Sequence, residues 1–217
     1  MLKINTIKSP SQREIIRHLN IMANKIKNKK ILDVGCGTGL YTQLFCKNNN
    51  EVFGLDLQNN LRIKNVKFIK GNALNMPFPQ EFFDVVISFD VIEHIDDDNL
   101  FLKECWRVLK DNGMLILGTP NRNRISFFIL SLLGKKPNFP RKLGKDPILG
   151  EIIHIREYTT SELEDLLKIN KFRIKNKSMI WLGFSVPFFK KEIGIKDFPC
   201  FLNHFALYIL FYAKKEK

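Results

Sequence analysis

Three groups of residues in this chain have the types and spacing to do chemistry. The first is Asp33-Val34-Gly35-Cys36-Gly37-Thr38-Gly39, an acidic residue followed by glycines at alternate positions. Glycines let a backbone approach a ligand closely, and a glycine-rich turn between a strand and a helix is a nucleotide-cofactor signature. The dinucleotide fingerprint is G-x-G-x-x-G, which sets a pyrophosphate on a helix N-terminus. The spacing here departs from it and suits a cofactor without a pyrophosphate, whose amino-acid portion passes over the loop. The second group is Asp56, 17 residues past Gly39 at the end of an apolar run. A carboxylate there is placed to accept hydrogen bonds from two ribose hydroxyls, and it disfavours a 2′-phosphate. The third is Asp90, Glu93 and His94, which share one face if the segment makes a helical turn. With its near-neutral reference pKa, His94 is the leading general-base candidate for an acceptor that holds its proton strongly. The competing reading is a local structural or gating pair.

These residues need a scaffold, and the hydrophobic pattern supplies one. Ile15, Ile16, Leu19, Met22, Ala23 and Ile26 make one apolar helix face, with Ser9 or Ser11 as cap and Pro10 in the first turn. Short apolar runs at 30–34, 51–55, 66–69, 84–89 and 113–118 read as strands. A helical stretch is expected from the glycine loop to about Lys47, an amphipathic helix over 100–109 and another over 160–169. Two further strands are expected at 172–177 and 205–213. Continuously apolar strands alternating with helices imply a parallel sheet covered on both faces. The 38 residues from Asn121 to Tyr158 exceed ordinary loop length, which marks a lid or binding element over about 122–157.

Composition narrows the function classes. The chain has 217 residues, 45% hydrophobic and 26% charged, which suits one folded domain and excludes disorder. Cys36, Cys46, Cys105 and Cys200 form no C-x-x-C pair or zinc spacing, so they read as reduced thiols of a cytoplasmic protein. No apolar signal region opens the chain, and no apolar run is long enough to span a membrane. The net charge is +13, with 35 Lys and Arg against 22 Asp and Glu. It is uneven: residues 122–147 carry seven positive charges and one negative, whereas 90–121 carry seven negative and three positive.

Taken together, ILDVGCGTGLYT (31–42), EVFGLDLQ (51–58), GNALNMPFPQEFFDVVISFDVIEHIDD (71–97) and RVLKDNGMLILGTPN (107–121) resemble the class I S-adenosylmethionine-dependent methyltransferases, in family order and at family spacing. The resemblance implies a doubly wound, seven-stranded, mostly parallel α/β sheet of Rossmann-like type, its last strand antiparallel, carrying a helical and basic lid insertion. It implies S-adenosylmethionine as cofactor. Asp33, Gly35, Cys36, Gly37 and Gly39 would line its methionine and ribose side, with Asp56 on the ribose hydroxyls and Leu57 on the adenine face. Asn72 and Ala73 would sit at the adenine edge, and Phe89 would approach the methionine portion. Many relatives have Asp where this chain has Asn72, so the adenine contact lacks charge assistance.

Two groups within that family, the ubiquinone-pathway O-methyltransferases and the small-RNA 2′-O-methyltransferases, hold a divalent metal on an acid-x-x-Glu-His cluster. Asp90, Glu93 and His94 match it, with Asp for the usual first Glu. His154 is then a candidate downstream ligand, or a lid residue that meets the substrate. The ubiquinone-pathway enzymes also carry an apolar insertion where this chain has ISFFILSLLGKK (125–136) and NFPRKLGKDP (138–147). An apolar helix flanked by Lys and Arg resembles an interfacial membrane element. The expected reaction is therefore O-methylation of a small or lipid-like acceptor, with Asp90, His94 and His154 as the catalytic candidates and peripheral membrane contact through 125–145. The competing readings are an RNA-directed 2′-O-methyltransferase, a nucleotide-cofactor oxidoreductase and a non-catalytic binding module. DNA is not an expected partner. RNA ranks below a lipid-like acceptor, because the apolar run is too continuous for a base-stacking platform.

Overall fold

The protein is described from a computed structural model, which covers residues 9–135, 138–146, 150–186 and 191–216. The chain begins with helix α1 (Pro10–Ala23), which buries Ile15, Ile16, Leu19 and Ala23 and is capped by Ser9, whose side chain accepts from the amide of Gln12. Then follow β1 (Lys30–Val34), β2 (Glu51–Asp56), β3 (Lys67–Lys70) and β4 (Phe83–Phe89). Helix α2 (Asp98–Val108) leads into β5 (Leu109–Pro120), and α3 is Ile125–Leu132. A hairpin of β6 (Arg141–Asp146) and β7 (Gly150–His154) precedes α4 (Thr160–Ile169) and β8 (Phe172–Ile180). A second hairpin, β9 (Leu182–Val186) with β10 (Lys191–Ile195), and the final strand β11 (Tyr208–Lys215) complete the order.

Seven strands form one sheet in the order β3-β2-β1-β4-β5-β11-β8. The first five are mutually parallel, and β11 runs antiparallel to both β5 and β8. The centre is apolar on both faces, which is why Lys30–Val34 and Phe83–Phe89 read as unbroken hydrophobic runs. One face packs Leu32, Val34, Phe101, Cys105, Leu163 and Leu167 together. The other packs Ile31, Val85 and Ile116 against α1. The doubly wound, seven-stranded, mostly parallel sheet with its antiparallel last strand is thus present as expected.

Two local expectations are corrected. The helix expected to run to Lys47 is only a 3-10 turn, Thr42–Leu44. Asn48 and Asn49 at its end adopt positive φ, and the Thr42 hydroxyl donates to Asp33 at 2.5 Å, tying the chain to β1 rather than extending it along a helix. The stretch expected to be a strand from 205 begins only at Tyr208, after a 3-10 turn over Cys200–Phe205. The β9–β10 hairpin had no counterpart in the sequence reading. The Glu192 carboxylate on β10 accepts from the Ser9 hydroxyl at 2.8 Å and the Ser11 amide at 2.9 Å, fastening this hairpin to the start of α1. Among the described residues, no helix is long and apolar enough to cross a membrane.

Candidate active site

The glycine loop leaves the carboxyl end of β1 and is held by β2. The amides of Gly35 and Cys36 both donate to the Leu55 carbonyl, at 2.8 and 3.2 Å. Gly35 has φ +75°, and a Cβ there would collide with Val91; no other residue fits that turn. Gly37 also has positive φ, but a Cβ on it would meet nothing within 4 Å, so its Cα borders open space. The Gly37 amide donates to Asp56 Oδ2 at 2.9 Å, which fixes the carboxylate at the mouth of the loop.

A cleft of about 790 Å³ opens there, lined by Gly35, Asp56, Leu57, Asn72 and Ala73 among others. Leu57 stands at its rim, 56% exposed. The Asn72 side-chain oxygen accepts from the Leu74 amide at 2.9 Å, so part of its acceptor capacity is already used. Asp33 lies behind the loop, buried, and the loss of water around its carboxylate pushes its pKa up to about 7. Cys36 and Gly39 pack against Gly54 and Ile63 and form the back of the loop. Phe89 is buried in the core beside α1, its ring 5.2 Å from that of Tyr41, rather than in the cleft wall.

The acidic trio does not share one face. Asp90 has φ +57°, a left-handed conformation that a non-glycine residue seldom keeps without a reason, and so stands outside the 3-10 turn Ile92–His94. Its side chain opens onto the cofactor-type cleft and onto a second cavity beyond it. The surrounding protein still strips water from the carboxylate and pushes its pKa up to about 6. Glu93 turns inward, fully buried. Its Oε2 accepts from the Thr119 hydroxyl at 2.9 Å, and its Oε1 has no hydrogen-bond partner among the described residues. Burial, reinforced by Asp90, raises its pKa well above the usual carboxylate range.

Two histidines face that orphan oxygen. His94 Nδ1 lies 2.7 Å from the Ile153 carbonyl, so it is the protonated nitrogen and Nε2 is left free; burial lowers its pKa. His154 Nδ1 lies 2.8 Å from Glu157 Oε1, and its Nε2 is 3.9 Å from Glu93 Oε1. The imidazole rings meet edge to face at 4.8 Å. One ligand atom each from Glu93, His94 and His154 lies within 4.8 Å of the others. Histidines that donate one nitrogen to an oxygen and leave the other free are what a cation-binding cluster requires. Asp90 is not part of this group of three, contrary to the sequence expectation, because its left-handed backbone aims it at the cleft.

Sequence reasoning missed Glu157 and Arg124. Glu157 is buried and receives both guanidinium nitrogens of Arg124 as well as His154. Burial alone would raise its pKa, but these hydrogen bonds outweigh that and hold it below the usual value. The spacing of His154 and Glu157, three apart, was the available signal.

The segment between β5 and α4 partitions the site. Asn121 and Tyr158 form a bridge at its base. The β6–β7 hairpin is fixed to the acidic turn, the Ile155 amide donating to the Glu93 carbonyl at 2.9 Å. Because side chains alternate along a strand, Ile153 and Ile155 line the cofactor-type cleft while His154 lines the second cavity. That cavity, of about 430 Å³, is walled by Ile15, Tyr41, Pro120, Leu143 and Tyr208 and carries Arg124 and Arg141.

The sheet order, the glycine turn and the Asp56 carboxylate at the end of β2 are those of a nucleotide-cofactor-binding doubly wound protein. Residues 32–117 match the family described as "Methyltransferase domain". The chain is 30% identical over 168 residues to a Mycolicibacterium smegmatis protein named "Probable S-adenosylmethionine-dependent methyltransferase", covering 75% of this chain and 59% of that one. It is 30% identical over 142 residues to the ubiquinone biosynthesis O-methyltransferase of Bradyrhizobium diazoefficiens, covering 61% of this chain and 55% of the other. It thus spans somewhat over half the length of these relatives. A Mesorhizobium loti S-adenosylmethionine-dependent methyltransferase shares the fold, with a TM-score of 0.62 at 14% identity over 98% of this chain and 100% of that one. Residues 32–117 thus carry a methyltransferase domain, and over 75% of its length the chain is similar to a protein named for dependence on S-adenosylmethionine.

Proposed function

We propose that the chain binds S-adenosylmethionine in the cleft beside Asp56 and transfers its methyl group to a hydroxyl of a small or lipid-like acceptor in the second cavity. The observation that carries this is Asp90, which lines both cavities at the point where they meet. The acceptor oxygen attacks the methyl carbon in line with the carbon–sulfur bond, and the sulfur leaves with the electron pair as S-adenosylhomocysteine. Alignment across the junction supplies much of the rate. Asp90 takes the hydroxyl proton; its pKa of about 6 keeps it ionised at neutral pH yet more basic than an ordinary carboxylate. His94 and His154 hold the hairpin and the junction wall rather than compete with Asp90 for that proton. Incubating the protein with methyl-labelled cofactor and extract fractions, then sorting label into lipid, RNA and small molecules, tests the reading. Label confined to RNA would replace it with the RNA-directed alternative.

A divalent cation on Glu93, His94 and His154 is a second element of the reading, favoured by Glu93 Oε1, which has no hydrogen-bond partner among the described residues, and by the clustering of one ligand atom from each of the three. When bound, such a cation would polarise the acceptor hydroxyl. Metal analysis of the purified protein, with Glu93→Gln as control, tests it; equal metal content in both would remove it.

Helix α3 supports membrane contact. Leu132 and Leu133 are 71% and 69% exposed, Phe128 and Ile129 are exposed beside them, and Lys135 follows. Apolar side chains with flanking cations suit an anionic bilayer better than a phosphate-tracking RNA surface.

A further inference from the structure

The second cavity is built asymmetrically. Asp90 is shared with the cofactor-type cleft; Arg124 and Arg141 line the cavity but not that cleft. The two guanidiniums share one aromatic ring: Arg124 lies 3.6 Å from the Phe127 centroid and Arg141 5.4 Å from it. Their charges are not equivalent. Arg124 is buried and doubly paired with Glu157, so its charge is spent inside the wall. Arg141 is only partly buried and sits on β6 opposite His154, which also lines the cavity. A guanidinium held over an aromatic face keeps its in-plane N–H edge for bidentate binding of a planar or tetrahedral oxyanion. Ile15, Pro120, Leu143 and Leu207 supply apolar wall to the same cavity.

We infer that this cavity takes an acceptor with three parts: a hydroxyl at Asp90, an apolar body, and a carboxylate or phosphate held by Arg141. The inference deepens the acceptor reading above and rests on it. It makes Arg141 a specificity-determining residue that selects an acid over its neutral counterpart. Arg124 is the fixed support that positions the shared Phe127 ring.

The test is isothermal titration of the protein, saturated with S-adenosylhomocysteine, using three probes of similar size: 4-hydroxybenzoate, 4-hydroxyphenyl phosphate and 4-hydroxybenzyl alcohol. At least one of the two acids should bind ten-fold or more tightly than the alcohol. The better acid tells whether a carboxylate or a phosphate is preferred. Arg141→Ala should remove that advantage, and Arg141→Lys should restore part of it, while affinity for S-adenosylhomocysteine stays unchanged. Equal binding of acids and alcohol, binding of none, or an advantage that survives Arg141→Ala would overturn the inference. Failure of S-adenosylhomocysteine itself to bind would instead overturn the methyltransferase reading, so the two are separable.

Discussion

Glu157 accepts a hydrogen bond from His154 Nδ1 at 2.8 Å while both guanidinium nitrogens of Arg124 converge on the same carboxylate. This one buried acid therefore links the helix that follows β5 to the hairpin that divides the two cavities. It fixes the His154 tautomer, leaving Nε2 directed at Glu93.

Removing that carboxylate leaves Arg124 buried without its counter-ion. Glu157→Ala should destabilise the protein by about 3–5 kcal/mol, the usual result of stripping one partner from a buried pair. Chemical denaturation measures this, and a loss below about 1 kcal/mol would show that the pair does not organise the insertion. Glu157→Gln keeps the shape and should lose less stability, while lowering kcat through a misoriented His154.

As the proposed base, Asp90 should give turnover a pH signature. Its pKa is raised to about 6, and only the ionised form accepts a proton, so kcat should fall as pH drops through about 6 and level off above it. Asp90→Asn should cut kcat by roughly 100-fold or more and abolish this limb, with S-adenosylhomocysteine affinity nearly unchanged. A variant with full activity would dismiss Asp90 as the base.

Asp33 gives stability a pH dependence of its own. Its folded-state pKa of about 7 lies above the ordinary 3.8, so the native state binds the proton more tightly than the unfolded chain. Its stabilising contribution is complete below about 3.8 and is lost as pH rises through about 7. Asp33→Asn still accepts from Thr42 and should flatten that slope in melting curves recorded between pH 5 and 8. An unaltered slope would assign it to other groups.

Replacing Leu132 and Leu133, the most exposed large apolar residues of the α3 region, with Ser should weaken sedimentation with phosphatidylglycerol vesicles several-fold. Wild-type protein should sediment less with phosphatidylcholine vesicles, since Lys135 and its neighbours find no anionic surface there. Equal recovery with both lipids, or no effect of the substitutions, would leave α3 without a membrane role.

Much of this architecture was legible in the residues because the central strands are continuously apolar and the glycine turn demands backbone that other residues cannot adopt. Asp56 could be placed for the same reason, since a strand end fixes where its carboxylate points. The acidic trio could not be resolved, because helical spacing presumes helical backbone and Asp90 is left-handed. That conformation sends Asp90 to the cleft and Glu93 into the interior. The pairing of His154 with Glu157, the Arg124 counter-ion and the division of the site by β6–β7 depend on contacts between segments dozens of residues apart, which periodicity does not encode. Asn48 and Asn49, where the expected helix would have ended, turn the chain towards β2 through a positive φ that propensity alone does not reveal.

The most direct measurement is titration calorimetry of the protein with S-adenosylhomocysteine and, separately, with NAD. S-adenosylhomocysteine should bind one to one, and Asp56→Ala should weaken it by roughly 1–3 kcal/mol, as expected when hydrogen bonds to a charged group are lost. NAD should give no heat. Binding of NAD without S-adenosylhomocysteine, or an unchanged S-adenosylhomocysteine affinity in Asp56→Ala, would contradict the assignment of this cleft.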